Sequence, residues 1–340
     1  MRQWQTTGPA QLILRPLSWI FGTLAALRRL LFRIGVFRRV EAARPVIVVG
    51  NISVGGTGKT PLVVAIVEKL QAAGVKAGVV ARGYRRDGSS AANALRVEAD
   101  EAMLISQRTG VPVVAMADRV AASAKLISQH PEVQVLLSDD GLQHYRLKRD
   151  LEICVIDGAR GLGNGALLPA GPLREPRARL SNVDAIVVNR TASNLGGSRF
   201  AETRSSAPTF AMTYTEVCWV NLAGEELAVQ AAIERWQGKR LCAMAGIGHP
   251  QRFFSQLARL GFQCDEQRAM PDHHAYAPPD IDSCAADIVL VTEKDAVKLA
   301  RFVAELNKPV WALRVSAQLP AGFDDFLLAR VRALIAAHVH

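Results

Sequence analysis

A glycine-rich run that ends in lysine and threonine is the strongest chemical signal in the sequence. It consists of Ser53-Val54-Gly55-Gly56-Thr57-Gly58-Lys59-Thr60, between an apolar segment at 45–50 and a segment of helical spacing. Glycines let backbone N–H groups curl around phosphate oxygens, and the N-terminus of the next helix favours negative charge. The run therefore predicts a nucleotide phosphate site, with Lys59 at the β- and γ-phosphates and Thr60 at Mg²⁺.

Two positions in this loop depart from familiar versions. Ser53 stands at the first glycine of the G-x-x-x-x-G-K-[ST] pattern, and Gly55 and Gly56 supply the flexibility instead. Val54 stands where ATPases that position proteins on membranes or partition chromosomes carry a lysine. A kinase is therefore favoured, and a membrane-associated switch ATPase of that type is the alternative.

An acidic pair supports the phosphate site. Asp139 and Asp140 directly follow the apolar segment 133–138. A carboxylate at the carboxyl end of an apolar strand is the usual magnesium-side partner of such a loop. We expect Thr60 to bind Mg²⁺ together with Asp139 or Asp140, and the sequence does not choose between the two carboxylates.

Further polar motifs could serve a phosphate acceptor, although each also has a purely structural interpretation as a cap or a turn. They are Arg82-Gly83-Tyr84, Asp100-Glu101, Gln143-His144, the Pro/Gly-rich basic loop Leu168–Glu175, Asp272-His273-His274-Ala275-Tyr276 and Thr292-Glu293-Lys294-Asp295. Taken singly, a structural role is favoured for every one. The two histidines are not spaced for a zinc site.

The amino-acid composition limits the classes of molecule that the protein is expected to bind. The formal net charge is +10, which favours anionic partners, but aromatic residues make up only 6% and do not alternate with basic ones. Nucleic acid is therefore not expected as a partner. The five cysteines form no CxxC pair, which indicates a reducing compartment rather than a disulfide framework.

The elements that must position these residues are short apolar runs alternating with helical stretches. This pattern predicts a parallel sheet covered on both faces, with a further strand at 95–98. We expect an α/β fold with three parts. They are an N-terminal amphipathic helix in 1–40, a P-loop NTPase-type parallel-sheet domain in 41–205, and a second, smaller α/β domain in 206–340 that closes over the active site.

The N-terminal segment 11–39 has the pattern of a basic amphipathic helix. Trp19, Ile20, Leu24, Leu27, Leu30, Leu31 and Ile34 share one side, and Arg15, Arg28, Arg29, Arg33 and Arg39 share the other. Such a helix either lies in a membrane interface with its arginines toward acidic headgroups, or packs its apolar side on its own domain. The arginines interrupt the apolar run, so a spanning helix is the poorest of the three interpretations.

The motifs together resemble one family, the tetraacyldisaccharide 4′-kinases of Gram-negative bacteria. The matching runs are Gly50–Pro61, Arg82-Gly83-Tyr84, Asp100-Glu101, Asp139–His144, Leu168–Glu175, Asn189-Arg190, Asp272-His273 and Thr292–Asp295. With the basic N-terminus they cover nearly the whole chain. One departure is Ala99, where the family commonly has glycine before the aspartate that matches Asp100.

The resemblance implies transfer of the ATP γ-phosphate, with Mg²⁺, to the 4′-hydroxyl of a tetraacylated glucosamine disaccharide 1-phosphate in lipid A biosynthesis. It implies that Asp100 is the general base, assisted by His273, and that Arg174 stabilises charge on the transferring group. This anionic lipid substrate implies a peripheral protein at the cytoplasmic face of the inner membrane, which we expect to be a monomer.

Overall fold

The computed structural model describes residues 4, 8–83, 92–190, 206–272 and 274–338. The chain forms two compact units, the first from 1–85, 108–213 and 317–340 and the second from 86–107 and 214–316. Both units have the predicted mixed α/β character, with mainly parallel strand pairs.

These units differ from the predicted division into 1–40, 41–205 and 206–340. The N-terminal segment and the C-terminal residues 317–340 belong to the first unit, whereas 86–107 belong to the second. Contacts between residues far apart in the sequence explain why these segments belong to units other than the predicted ones. Lys69 forms an ion pair with Asp324 at 2.6 Å within the first unit, and Lys294 forms one with Glu101 at 2.7 Å within the second.

The first unit is built on parallel strands in the order β3-β2-β4-β1-β5-β6-β7. Their bounds are β1 Val46–Gly50, β2 Ala77–Arg82, β3 Val113–Met116, β4 Val135–Asp139, β5 Leu151–Asp157, β6 Ala185–Asn189 and β7 Thr209–Asn221, whose later residues lie in the second unit. The strands β1, β4, β5 and β6 are buried at every residue, as expected for a parallel sheet covered on both faces. In the register between β1 and β4, Val49 lies beside Asp139. The acidic pair and the phosphate loop therefore start from the same sheet edge.

In the part of this unit that the structure describes, four α-helices are α1 Pro9–Arg33, α2 Lys59–Ala72, α4 Arg119–Gln129 and α9 Ala321–His338. The buried residues of α2 run from Leu62 through Val67 and include Leu70. The helix α4 is capped by Asp118, whose carboxylate accepts from the amides of Val120 and Ala121. The connecting helix α3 spans Ala92–Thr109, so the strand predicted at 95–98 is wrong. Alanine, leucine, arginine and glutamate dominate that segment and favour a helix.

The helix α1 is attached through Ser18, Gly22 and Phe32, whose ring packs against Tyr145, rather than through the apolar side predicted from the sequence. The Ser18 hydroxyl donates to the carbonyl of Leu167 at 2.8 Å and accepts from the amide of Ala170 at 3.0 Å. Gly22 allows close approach, because a Cβ there would lie 2.6 Å from Leu167. Most of the large apolar side chains are exposed instead: Leu12, Ile13, Leu17, Trp19, Ile20, Leu24, Leu27, Leu30 and Ile34. Of the interpretations above, packing of the apolar side on its own domain is therefore wrong.

Within the described residues, none of the helices combines the length and apolar character needed to cross a membrane.

The second unit carries strands in the order β10-β9-β11-β12-β7, with β8 paired antiparallel to β7. The bounds are β8 Glu226–Leu227, β9 Leu241–Ala245, β10 Glu266–Ala269, β11 Ile288–Thr292 and β12 Val310–Gln318. The helices are α5 Val229–Arg235, α6 Pro250–Arg259, α7 Pro278–Asp282 and α8 Glu293–Leu299. On one side of this sheet, the rings of Trp219, Trp236, Phe262 and Trp311 pack with centroids 5.2–5.6 Å apart.

Candidate active site

The glycine-rich loop connects β1 to α2 in the predicted order. Gly55 has a φ of 101° and Gly58 a φ of 92°, values that L side chains rarely adopt. Gly58 is the N-cap of α2, so Lys59 and Thr60 are the first two residues of the helix. The free backbone N–H groups of the helix start and the side chains of Lys59 and Thr60 thus share one end of α2, where an anion is favoured.

Side chains from neighbouring segments brace the loop at Thr57. Asn51 Nδ2 donates to Thr57 Oγ1 at 3.2 Å, and Asn189 Nδ2, from the end of β6, donates to the Thr57 carbonyl at 3.0 Å. Arg160 donates to the Gly56 carbonyl and forms an ion pair with Asp157 at 2.9 Å. These contacts hold the loop from three directions, so its shape does not depend on a bound ligand alone.

A charged cluster of Lys59, Asp140 and Arg174 lies beside the loop. Asp140 Oδ1 is 3.4 Å from Lys59 Nζ, and its Oδ2 is 3.3 Å from Arg174 Nη1. Burial alone acts to raise the pKa of Asp140, but the two cations outweigh it and lower that pKa. Asp140 therefore stays ionised and keeps Lys59 and Arg174 close together.

The backbone of Asp140 is itself unusual, with a φ of 49°. A positive φ at a non-glycine residue costs free energy and persists only when the surroundings enforce it, a pattern that clusters at functional sites. Asp139 ends β4 and is buried, and its carbonyl accepts from the buried guanidinium of Arg119 at 2.9 Å. The turn after β4 is thus held at Asp139 by the hydrogen bond from Arg119 to its carbonyl, and at Asp140 by the ion pairs of its carboxylate.

The donor set at this sheet edge fits a hard divalent cation. The Thr60 hydroxyl and the carboxylates of Asp139 and Asp140 offer only oxygen, the ligand type that Mg²⁺ prefers. Asp140 is held by Lys59 and Arg174, whereas Asp139 lies deeper, at 4% exposure. Both remain candidates for the metal.

Behind Arg174 lies a polar network in which Glu175 is central. Gln143 Nε2 donates to Glu175 Oε1 at 2.8 Å and to the Asn51 carbonyl at 2.9 Å, and the Tyr145 hydroxyl donates to Glu175 Oε2 at 2.5 Å. The amide of Arg174 donates to the Ile52 carbonyl at 2.7 Å. The network fastens the Pro/Gly-rich basic loop to the start of the phosphate loop and so fixes the base of Arg174.

The second unit holds a different charged cluster around α3 and α8. Lys294 is paired with Glu101 at 2.7 Å, and Lys298 with the fully buried Asp295 at 3.3 Å. Asp100 is half-buried, and burial raises its pKa although Lys298, Lys294 and Arg301 act in the opposite direction. Asp295 also accepts from the Gly246 amide and the Thr292 hydroxyl, which ties β9 to the start of α8.

Comparison with known proteins identifies the family. The family profile of tetraacyldisaccharide-1-P 4′-kinase, LpxK, matches residues 10–332. A tetraacyldisaccharide 4′-kinase from Chromobacterium violaceum is 46% identical over 329 residues, covering 94% of each chain, and one from Methylobacillus flagellatus is 42% identical, covering 98% of this chain and 96% of that one. The crystal structure of LpxK from Aquifex aeolicus in complex with ATP matches with a TM-score of 0.76 and 30% identity, over 95% of this chain and 99% of that one.

This chain belongs to the tetraacyldisaccharide 4′-kinase family. The resemblance drawn from its motifs is thereby confirmed, as are the P-loop NTPase-type α/β fold and the assignment to phosphotransferases that act on a hydroxyl group.

The structure brings some of the predicted residues of this kinase together. Lys59, Asp140 and Arg174 form one cluster, and the glycine-rich run forms the predicted strand–loop–helix. His273 and Tyr84 lie outside the described residues, so the proposed pairing of Asp100 with His273 stays a prediction.

Asn51 and Arg160 brace the loop, with Asp157 holding Arg160, and the sequence motifs assign no role to these three residues. One signal was available: Asp157 ends the apolar β5 just as Asp139 ends β4.

Proposed function

We propose that this kinase transfers the γ-phosphate of ATP to the 4′-hydroxyl of a tetraacylated glucosamine disaccharide 1-phosphate. The observation that carries the proposal is the cluster of Lys59, Asp140 and Arg174 beside the start of α2. Phosphoryl transfer passes through a loose transition state, so its catalysis depends on positioning and on neutralising charge. Two cations held together by an ionised carboxylate meet both needs.

At the nucleotide, the loop amides and Lys59 hold the β- and γ-phosphates, and Arg174 contacts the oxygens of the transferring group. Because Asp140 pairs with both cations, the phosphates enter a site whose positive groups are already in place. Thr60 with Asp139 or Asp140 would hold Mg²⁺, which neutralises charge on the phosphate oxygens.

At the acceptor, the 4′-hydroxyl needs a base that takes its proton as the oxygen attacks phosphorus. We assign this role to Asp100, assisted by His273. The raised pKa of Asp100 supports the assignment, because a carboxylate whose pKa lies closer to the working pH accepts a proton more readily. The proton passes from the sugar hydroxyl to the Asp100 carboxylate, and the new bond joins the 4′-oxygen to phosphorus while the bond to the β–γ bridging oxygen breaks.

One labelling experiment separates the kinase from the switch ATPase. The protein is incubated with γ-labelled ATP, Mg²⁺ and the disaccharide 1-phosphate in detergent, and lipid and aqueous phases are counted separately. We expect the label in the lipid and little in inorganic phosphate unless acceptor is absent. Label found only in inorganic phosphate, whether or not the acceptor is present, would contradict the proposal.

We further propose that α1 lies in the headgroup region on the cytoplasmic face of the inner membrane, where the protein is peripheral. The exposed row of large apolar side chains supports this placement: Trp19 is 70% exposed and Ile13 77%. Arginines of the same helix, including Arg28 and Arg33, are available to acidic headgroups. Ser18 fastens the helix to the first unit, so binding would bring the catalytic unit to its lipid substrate.

Vesicle binding tests this placement. The double substitution Leu24→Ser and Leu27→Ser removes two exposed apolar groups from α1, whereas Ala26→Ser changes an exposed position of the same helix with little loss of apolar area. We expect the double variant to lose most binding to anionic vesicles and the control to keep it. Equal sedimentation of the two variants would contradict the placement.

Size-exclusion chromatography of the detergent-free protein tests the expected monomer.

A further inference from the structure

Two cysteines and a glutamate meet on one side of the sheet in the second unit. Cys242 lies in β9 and Glu266 in the neighbouring β10, and these two residues are register partners, so their side chains point to the same face. Cys284 follows α7 and reaches the same place. The two Sγ atoms and a Glu266 carboxylate oxygen all lie within 4.8 Å of one another.

The three side chains are held in place. Cys242 is fully buried and Cys284 is 2% exposed. The carboxylate of Glu266 is oriented by two donors, since Arg268 Nε donates to Oε1 at 2.5 Å and the Ala285 amide donates to Oε2 at 3.2 Å. Outer contacts of this kind orient ligating carboxylates in metal sites.

We propose that Cys242, Cys284 and Glu266 bind a soft divalent cation of the Zn²⁺ class. Two thiolates exclude Mg²⁺ and Ca²⁺ as preferred occupants, whereas sulfur with one oxygen suits Zn²⁺ or Cd²⁺. Tetrahedral Zn²⁺ with Zn–S bonds of about 2.3 Å places two sulfurs about 3.8 Å apart. In this structure the two sulfurs are at most 4.8 Å apart, so they need to approach each other by no more than ~1 Å. A water molecule completes the four-coordination of the metal.

The charges around the cluster fit this occupant. Two thiolates and one carboxylate around a divalent cation leave one net negative charge, which the neighbouring Arg268 guanidinium offsets. Zn²⁺ binds cysteine as the thiolate, so a proton carried by either thiol is released when the metal binds, and the affinity rises with pH.

This site is separate in chemistry from the proposed Mg²⁺ site of the kinase. It uses sulfur rather than oxygen alone, and none of its three residues belongs to the proposed catalytic set. Within the described part of the chain, it is the one group of three or more histidine, cysteine or acidic side chains placed to share an ion. Its role is to tie β9, β10 and the segment after α7 together in the second unit.

The test uses the full-length, reduced and chelator-treated protein, titrated with Cd²⁺ and with Zn²⁺. We expect the thiolate-to-Cd²⁺ charge-transfer band to saturate at about one equivalent, and Zn²⁺ to raise the melting temperature, because a ligand of the folded state stabilises it. Zn²⁺ affinity is measured by competition with a chromophoric chelator. Cys242→Ser and Cys284→Ser should each lower it at least about 100-fold, beyond the ~10–100-fold typical of outer contacts.

The control is Cys264→Ser, because Cys264 is a half-buried cysteine of the same unit outside the cluster. It should bind Zn²⁺ like the unmodified protein. Glu266→Gln provides a variant that keeps both buried thiols and, because it removes a ligating carboxylate, should weaken Zn²⁺ at least about 100-fold, beyond the effect of an outer contact. A missing charge-transfer band in the reduced protein, or a band that survives the double substitution of Cys242 and Cys284, would overturn the proposal.

Discussion

Asp140 in the first unit and Asp100 in the second are both half-buried aspartates surrounded by cations, yet their pKa values move in opposite directions. In each, burial acts to raise the pKa. For Asp140 the cations prevail and the pKa is lowered, whereas for Asp100 burial prevails and the pKa is raised. The number of cations does not explain the difference, since two act on Asp140 and three on Asp100.

Two things differ: the Glu101 carboxylate itself acts to raise the pKa of Asp100, and the cations near Asp100 are paired with other carboxylates. Lys59 and Arg174 lie 3.4 and 3.3 Å from the Asp140 oxygens. Near Asp100, Lys294 is already paired with Glu101. Lys298, likewise, is paired with Asp295. A cation in direct contact favours the charged form much more than one neutralised elsewhere. The first arrangement suits a carboxylate that must stay ionised beside phosphates, and the second suits one that must accept a proton.

The substitution Lys59→Ala is the strongest test of the cluster of Lys59, Asp140 and Arg174. It removes a cation from the phosphates and leaves Asp140 paired only with Arg174, so we expect kcat to fall by about 10³–10⁵-fold, the range for loss of a phosphate-stabilising cation. The control is Lys69→Ala on the same helix, which breaks only the Lys69–Asp324 ion pair. Steady-state kinetics with saturating ATP measures both. A loss below tenfold in Lys59→Ala would remove the cluster from the mechanism.

The second arrangement is tested by Asp100→Asn, which keeps the shape and removes the base. We expect kcat to fall by about 10²–10⁴-fold while the affinity for ATP persists, because general-base catalysis is typically of that size. Glu101→Gln is the matched control: it neutralises the adjacent carboxylate and breaks its ion pair with Lys294, but it leaves the Asp100 carboxylate in place. If both variants lose activity equally, the effect belongs to the charge of α3 and not to a base at Asp100.

How far the sequence predicts the fold depends on the kind of element. The buried strands of the first unit were predicted because parallel strands covered on both faces are apolar throughout. Strand β10 was missed, since its residues Glu266–Ala269 alternate in exposure and include two charged side chains. The helix α3 was partly taken for a strand at 95–98, because Leu95-Arg96-Val97-Glu98 alternates apolar and charged residues as a half-buried strand does.

In the candidate active site, too, the sequence predicts some contacts and not others. Motif order predicts that Lys59 contacts phosphate, because strand, loop and helix follow each other in the chain. Nothing in the sequence predicts that Asp140 contacts both Lys59 and Arg174, since that depends on how the Pro/Gly-rich loop is fastened by Glu175 and Gln143. The opposite pKa shifts of Asp140 and Asp100 depend on such contacts and could not be foreseen.

A pH profile sharpens the comparison without removing either aspartate. Asp100 must be deprotonated to act as the base, so kcat rises with pH through its pKa and then levels off. Lys294→Met removes a cation that opposes the raised pKa of Asp100, so the acidic limb should move to higher pH. Lys69→Met, in the first unit, should leave the limb in place. A limb that stays fixed in Lys294→Met would show that Asp100 does not set it.

His144 offers the smallest and most independent test, through stability rather than rate. Burial first, and then the cations Arg119 and Arg82, lower its pKa to about 4, so in the folded first unit the imidazole stays neutral. The unfolded chain binds the proton at about pH 6.5, and stability is therefore complete above that pH and is lost as pH falls toward 4. We expect a loss of about 2 kcal/mol between about pH 7 and pH 5.

Urea denaturation at a series of pH values measures this loss, and His144→Gln should flatten it because glutamine does not titrate. His130→Gln, at an exposed histidine paired with Glu132, is the control and should leave the dependence unchanged. A flattened profile in His144→Gln would show that burial, together with Arg119 and Arg82, keeps this imidazole neutral in the folded protein. An unchanged profile would contradict this account, because the loss of stability between about pH 7 and pH 5 would then come from groups other than His144, and burial would have a smaller effect in the first unit than the contrast with Asp140 implies.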